Sequence, residues 1–184
     1  MWMTKLGAAT RLTSYAAMTF ILIVPFTAGG SNIAMAESKG NSSWVNVDSG
    51  EISYYDSSTT PLAALSEITH LPVVALEGEE RSTTNSGVTT GLAAYTLGIL
   101  YDGASFTGSS QGYFSTNSSI CTGVVYTFNT LGTWNDRAGS FQGFNGCQAT
   151  LFLNTYLGGA QFGPFSSATG LGAFNNQVSS MKMS

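Results

Sequence analysis

In the C-terminal half of the chain, bulky apolar residues recur at every second position: Leu97, Ile99 and Tyr101, then Val124, Tyr126 and Phe128, then Ala149, Leu151 and Leu153. A period of two is that of a half-buried strand, and the Gly, Ser and Asn clusters between these runs supply turn residues. The pattern predicts many short strands and an all-β fold. Positions 37–81 show neither a two-residue nor a 3.6-residue period, apart from 71–76 (LPVVAL), which fits one short strand. That stretch is expected to be weakly structured, as a leader, a propeptide or a partly ordered arm, and 82–91 (STTNSGVTTG) reads as a flexible linker.

A third pattern lies at the N-terminus. Lys5 and Arg11 precede an apolar run from Tyr15 to Phe26, and small residues follow as far as Ala34-Met35-Ala36. This is the order of a secretory signal peptide, with cleavage expected before Glu37. The apolar run is about a dozen residues, short of the roughly 20 that cross a bilayer. The expected organisation is therefore a signal peptide at 1–36, an acidic leader, propeptide or linker at 37–91, and a folded domain at 92–184. The protein is expected to be secreted, extracellular, monomeric and free of the membrane once cleaved.

Charge sharpens these divisions. Only 9% of residues are charged, and Lys+Arg 6 against Asp+Glu 10 gives a net charge of −4. No basic patch exists to neutralise phosphates, so a nucleic acid is not an expected partner. Most of the charge lies in 37–81 and is acidic, whereas beyond it only Asp102, Asp136, Arg137 and Lys182 are charged. Cys121 and Cys147 are the only cysteines and both follow the export signal, so one disulfide is expected; two buried free thiols are the alternative.

The C-terminal part also repeats itself. Leu100-Tyr101, four residues, Phe106, one residue and Gly108 recur as Leu151-Phe152, four residues, Leu157, one residue and Gly159. Trp134 precedes the hexad Asn135-Asp136-Arg137-Ala138-Gly139-Ser140, and Phe174 precedes Asn175-Asn176-Gln177-Val178-Ser179-Ser180. The first copy carries an insertion before its hexad, and Cys121 falls inside it. An aromatic, a polar stretch, a bulky residue and a Gly free to take positive φ suit a hairpin folded over its own ring. The closing Ser can satisfy backbone groups at that fold.

This pattern resembles the paired Greek-key motifs of the βγ-crystallin superfamily. Tyr101, Phe106, Gly108 and Ser140 match the first motif; Phe152, Gly159 and Ser180 match the second, with Leu157 in place of an aromatic. The resemblance covers roughly 94–184. It implies two four-stranded motifs in one βγ-crystallin-like sandwich, with the disulfide stapling the insertion to the link between motifs.

The resemblance also implies calcium as a cofactor. The microbial branch of the family uses such hexads as shared sites, each taking backbone and side-chain oxygens from one hexad and a hydroxyl from the other. Asn135, Asp136, Arg137, Asn175, Asn176, Gln177 and Ser179 are the implied metal residues. The second hexad matches in full, but Gly139 stands where the first should carry a hydroxyl, which puts one of the two sites in doubt. Asp136 is the only carboxylate in either hexad, so charge-driven affinity is low. The alternative is that these Asn and Ser residues only close turns.

No catalytic constellation emerges. His70 is the only histidine and lies outside the repeat, so a Ser-His-Asp or Cys-His arrangement has no base there. Two cysteines and a distant histidine do not form a zinc set. Asp102, beside Tyr101, reads as a turn cap rather than half of a carboxylate pair. A binding function remains, and no enzyme is expected. Resemblance to secreted family members extends the expected partners to an extracellular peptidase, inhibited by the inserted loop 115–122, or a cell-surface component, as for killer-toxin-like proteins. Phe141, Phe144 and Phe162 are candidate contact aromatics, although most such residues belong in a core. Asn41-Ser42-Ser43 and Asn117-Ser118-Ser119 are N-glycosylation sequons.

Overall fold

The computed structural model describes residues 42–77, 92–117 and 120–184. The expected signal peptide at 1–36 and linker at 82–91 lie outside the described residues. The first motif consists of β4 (Ala94–Tyr101), β5 (Ser110–Ser115), β6 (Tyr126–Phe128) and β7 (Ser140–Gly143). The second consists of β8 (Ala149–Asn154), β9 (Gly158–Phe165), β10 (Ser167–Ala168) and β11 (Ser180–Met183).

The motifs exchange their third strands. β10 pairs with β7 of the first motif, and β6 pairs with β11 of the second. One sheet is therefore ordered β6-β11-β8-β9, while β7, β4 and β5 lie beside β10 in the other. Each sheet contains a strand from the opposite motif, so neither motif completes its sheet without the other. This is the double Greek-key sandwich that the resemblance implied. The expected insertion separates β5 from β6, whereas β9 and β10 are almost contiguous. Among the described residues no helix is long and apolar enough to cross a membrane.

The segment before the repeat departs from expectation. Instead of a weakly structured stretch, residues 42–77 hold β1 (Ser42–Asn46), β2 (Ile52–Tyr55), the helix α1 (Pro61–Thr69) and β3 (Val73–Val74). β1 pairs in parallel with β5, β2 antiparallel with β1, and β3 in parallel with β4, giving a seven-stranded sheet. Asn145, in the link between motifs, fixes the end of this segment. Its side chain donates to the carbonyls of Val74 and Thr96, both at 2.8 Å, and accepts from the Leu76 N–H.

The added segment gives the large sheet a second covered face. Leu97, Leu100, Tyr113, Trp134, Phe141, Leu151 and Met181 form the core between the two sheets. Trp44, Leu65, Ile99, Tyr101, Phe114 and Phe144 form another core on the opposite face, below α1. The neighbours Ile99 and Leu100, like Tyr113 and Phe114, fall in different cores because successive strand residues point to opposite faces. A bulge between Thr96 and Gly98 puts Leu97 out of phase with Ile99 and Tyr101, so the simple alternation expected along 97–101 is broken. Gly112 is required here: a Cβ would stand 2.3 Å from the ring of Trp44, which lies flat on β5 and donates from Nε1 to the Pro61 carbonyl.

Candidate functional site

The two hairpins fold alike in detail. Ser140 Oγ accepts from the Phe106 N–H at 3.0 Å and donates to the Gly103 carbonyl at 2.6 Å. In the second motif Ser180 Oγ accepts from the Leu157 N–H at 3.0 Å and donates to the Asn154 carbonyl. The pairs Ser105-Phe106 and Tyr156-Leu157 both take positive φ, as do Gly108 and Gly159. The Tyr101 ring packs against Phe106 with centroids 5.8 Å apart, so the hairpin does close over its own ring. Asp102 lies over the turn, where a Cβ on Gly108 would come within 2.0 Å of its Oδ1, and its Oδ2 pairs with Arg137 at 3.3 Å.

The folded hairpins deliver each chain to a hexad, and the hexads face each other across a pseudo-twofold axis. The Asp136 N–H donates to the Val178 carbonyl, and the Asn176 N–H donates to the Ala138 carbonyl, both at 2.9 Å. These are the same two positions in each hexad, bonded reciprocally. Asp136 and Asn176 share a left-handed backbone, with φ of 57° and 56°. Asp and Asn tolerate that region better than other side chains that carry a Cβ. The expected meeting of the two polar loops is thus present.

Side chains break the symmetry. On one side, Ser179 Oγ donates to Asp136 Oδ1 at 3.4 Å, and Asn135 Nδ2 donates to Asp136 Oδ2 at 2.7 Å. A carboxylate, a hydroxyl from the opposite hexad and an amide thus meet in one place. Hard oxygen donors of this kind suit calcium. On the other side Asn176 faces the hexad that contains Gly139. A Cβ at Gly139 would lie 2.5 Å from the Asp102 carbonyl oxygen, so the backbone of the first hairpin occupies the space a hydroxyl-bearing residue needs. The donor set therefore fits calcium beside Asp136 and lacks a carboxylate and a hydroxyl beside Asn176. Among the described residues no group of three or more His, Cys, Asp and Glu is gathered, so a cation beside Asp136 would draw its other ligands from neutral oxygens.

The remaining expected residues fall as follows. Arg137 stacks on the Trp134 ring at 4.4 Å while it pairs with Asp102. Asn175 and Gln177 are exposed on the second loop, and Ser179 is buried. Cys121 and Cys147 form the disulfide, joining the insertion to the link between motifs as the resemblance implied. Phe141 and Phe144 are not available to a partner: Phe141 is buried in the core between the sheets and Phe144 in the core below α1. Phe162 is 37% exposed and stacks on Phe174 at 5.5 Å.

Composition gave no sign of one anchor of the inserted loop. Asp48, from the leading segment, anchors the start of the inserted loop: its carboxylate accepts from Ser115 Oγ at 2.9 Å, the Thr116 N–H at 2.7 Å and Thr116 Oγ1 at 3.0 Å. Burial pulls its pKa upward, but the bonds from Thr116, Ser115 and Asn117 outweigh it and hold the carboxyl below its ordinary value.

No protein-family model and no curated protein matches the chain. Solved structures do. A βγ-crystallin domain from Flavobacterium johnsoniae is 25% identical over 48% of this chain and 93% of that one, with a TM-score of 0.37. The N-terminal domain of protein S is 23% identical over 48% and 94%, at 0.38, and a βγ-crystallin from an archaeon 19% identical over 48% and 98%, at 0.34. The exchanged strands, the two folded hairpins with their serines and the facing hexads define a double Greek-key architecture. The protein is an all-β domain of two interlocked Greek-key motifs, and its similarity among solved structures is to βγ-crystallin domains.

Proposed function

We propose that the protein is a secreted, non-catalytic binding protein that holds one calcium ion, at Asp136 and Ser179. The observation that carries this reading is the convergence of Ser179 Oγ and Asp136 Oδ1, 3.4 Å apart, from opposite hexads. Asn135 adds an amide oxygen, once its side chain turns from the bond it makes to Asp136, and the neighbouring loop carbonyls complete a set of neutral donors. Bound calcium would tie the hexads together and so brace the two motifs against each other. With one carboxylate the site belongs in the weak range typical of extracellular modules, about 10⁻⁴ to 10⁻³ M. Thermal melting with and without millimolar calcium examines the claim: the wild type should gain melting temperature, and Asp136→Asn should not. An equal gain in both would place the ion elsewhere.

A second reading, inhibition of an extracellular peptidase by the inserted loop, draws support from the way the loop is held. Asp48 fixes its start, and the Cys121–Cys147 disulfide fixes its end. Such preorganisation lowers the entropy lost on binding. Assays of extracellular serine and metallo-peptidases with added protein decide it; no inhibition at micromolar protein would eliminate this reading.

A further inference from the structure

The segment that covers the large sheet leaves one corner open. Between the C-terminal end of α1 and the sheet lies a cleft of about 260 Å³, lined among others by Glu51, Ser53, Ile68, Leu71, Phe114 and Thr116. Sites that enclose a whole small molecule run from roughly 300 to 1,000 Å³, so this cleft has room for a single side chain. Ile68, Leu71 and Phe114 supply apolar walls. Phe114 is only 5% exposed, enough to border the cleft but too little for the flat stacking of a sugar ring.

The polar groups at the cleft are unequally engaged. Thr69 Oγ1 donates to the Leu65 carbonyl, and Thr116 Oγ1 donates to Asp48. The Glu51 carboxylate and the Ser53 hydroxyl have no hydrogen-bond or ion-pair partner among the described residues. What the cleft has to offer is an acceptor with a negative charge. The surroundings carry the same sign: residues 42–77 contain Asp48, Glu51, Asp56, Glu67 and Glu77, and no Lys or Arg. A long side chain with an alkyl stem and a cationic tip matches both the walls and the charge.

The cleft also adjoins an edge of the large sheet. Among the described residues β2 is the terminal strand of its sheet, and the outward N–H and C=O groups of an edge strand can accept a further strand. Peptides bound in that way take affinity from main-chain bonds and specificity from a side-chain pocket.

We propose that this corner docks an extended basic segment of a partner protein. The segment adds to the open edge of β2 and inserts one lysine or arginine into the cleft, its stem against Ile68, Leu71 and Phe114 and its cation on Glu51. The test uses the full folded chain, with amide chemical shifts followed by NMR. The probes are acetyl-Val-Lys-Val-amide and the same peptide with norleucine for lysine. The lysine peptide should bind about tenfold more tightly than its uncharged counterpart, as for a partly enclosed charged hydrogen bond. Its largest shifts should fall at Glu51, Ser53 and Thr116. Glu51→Gln should reduce the lysine peptide to the norleucine level without changing the melting temperature. Equal affinity of the two peptides, a lysine preference that survives in Glu51→Gln, or no shifts at these amides at millimolar peptide would overturn the proposal. So would a dimer formed through β2 without peptide, since it would assign the edge to a second copy.

Discussion

At the scale of single residues, the proposed number of calcium sites turns on Gly139. Restoring the hydroxyl that the repeat lacks should not create a second site, because a Cβ there meets backbone atoms rather than a movable side chain. Gly139→Ser is expected to destabilise the fold by about 1–3 kcal/mol, as overpacking does, and to add no calcium site. Urea unfolding and a calcium titration of the variant check both halves of that statement.

Asp48 supplies a pH-dependent prediction at the same scale. Its folded-state pKa lies below the ordinary 3.8, so the folded state holds this carboxylate ionised where the unfolded chain would begin to protonate it. Its contribution is complete above pH 3.8 and is lost as pH falls through the lower folded-state value. The group is largely exposed, and solvent screening limits the effect; Asp48→Asn should cost about 1 kcal/mol at neutral pH. That difference should shrink to nothing in acid unfolding experiments; a difference that persists undiminished would show that the effect is not due to charge.

At the scale of elements, the duplicated part was legible and the leading segment was not, for a physical reason. A repeat is its own control: Tyr101 and Phe152, Gly108 and Gly159, Ser140 and Ser180 each appear twice at fixed spacing, so their roles could be read before any fold was known. β1 and β5 escaped because much of what they bury is polar. Ser42, Ser43, Ser110, Gln111 and Ser115 are all buried. They are satisfied by one another and by the backbone, as in the bond from the Ser110 N–H to Ser42 Oγ at 3.0 Å. Buried serines in matched strands carry no hydrophobic period. Asp48 was likewise unreadable, since its partners lie 67 and 68 residues away.

It follows that the leading segment is part of the fold. Trp44→Ala should cost about 3–5 kcal/mol, the range for removing a fully buried large aromatic ring. A chain without residues 42–77 would expose Ile99, Tyr101 and Phe114 together. It should melt far below the full chain and bind a hydrophobic dye, and circular dichroism with dye fluorescence would detect this. A fragment that melted as the full chain does would show that the added layer is dispensable. Reducing the disulfide, which spans 26 residues, should cost about 3–4 kcal/mol by loss of its constraint on the unfolded chain.

At the scale of the whole molecule, the exchange of β6 and β10 makes the two motifs interdependent, and the facing hexads lie where they meet. Symmetry of backbone with asymmetry of side chains leads to an odd outcome: a duplicated architecture that should hold one ion. In the proposed site, the hexad that matched the calcium pattern in full would contribute its hydroxyl to its imperfect partner. Calorimetric calcium titration of three proteins tests this most directly: the wild type, Ser179→Ala, and Asn176→Gly, which keeps the left-handed backbone. The account predicts one ion per chain for the wild type and Asn176→Gly, and a marked loss of affinity in Ser179→Ala. Two ions per chain, no heat at millimolar calcium, or a Ser179→Ala variant that binds like the wild type would contradict it.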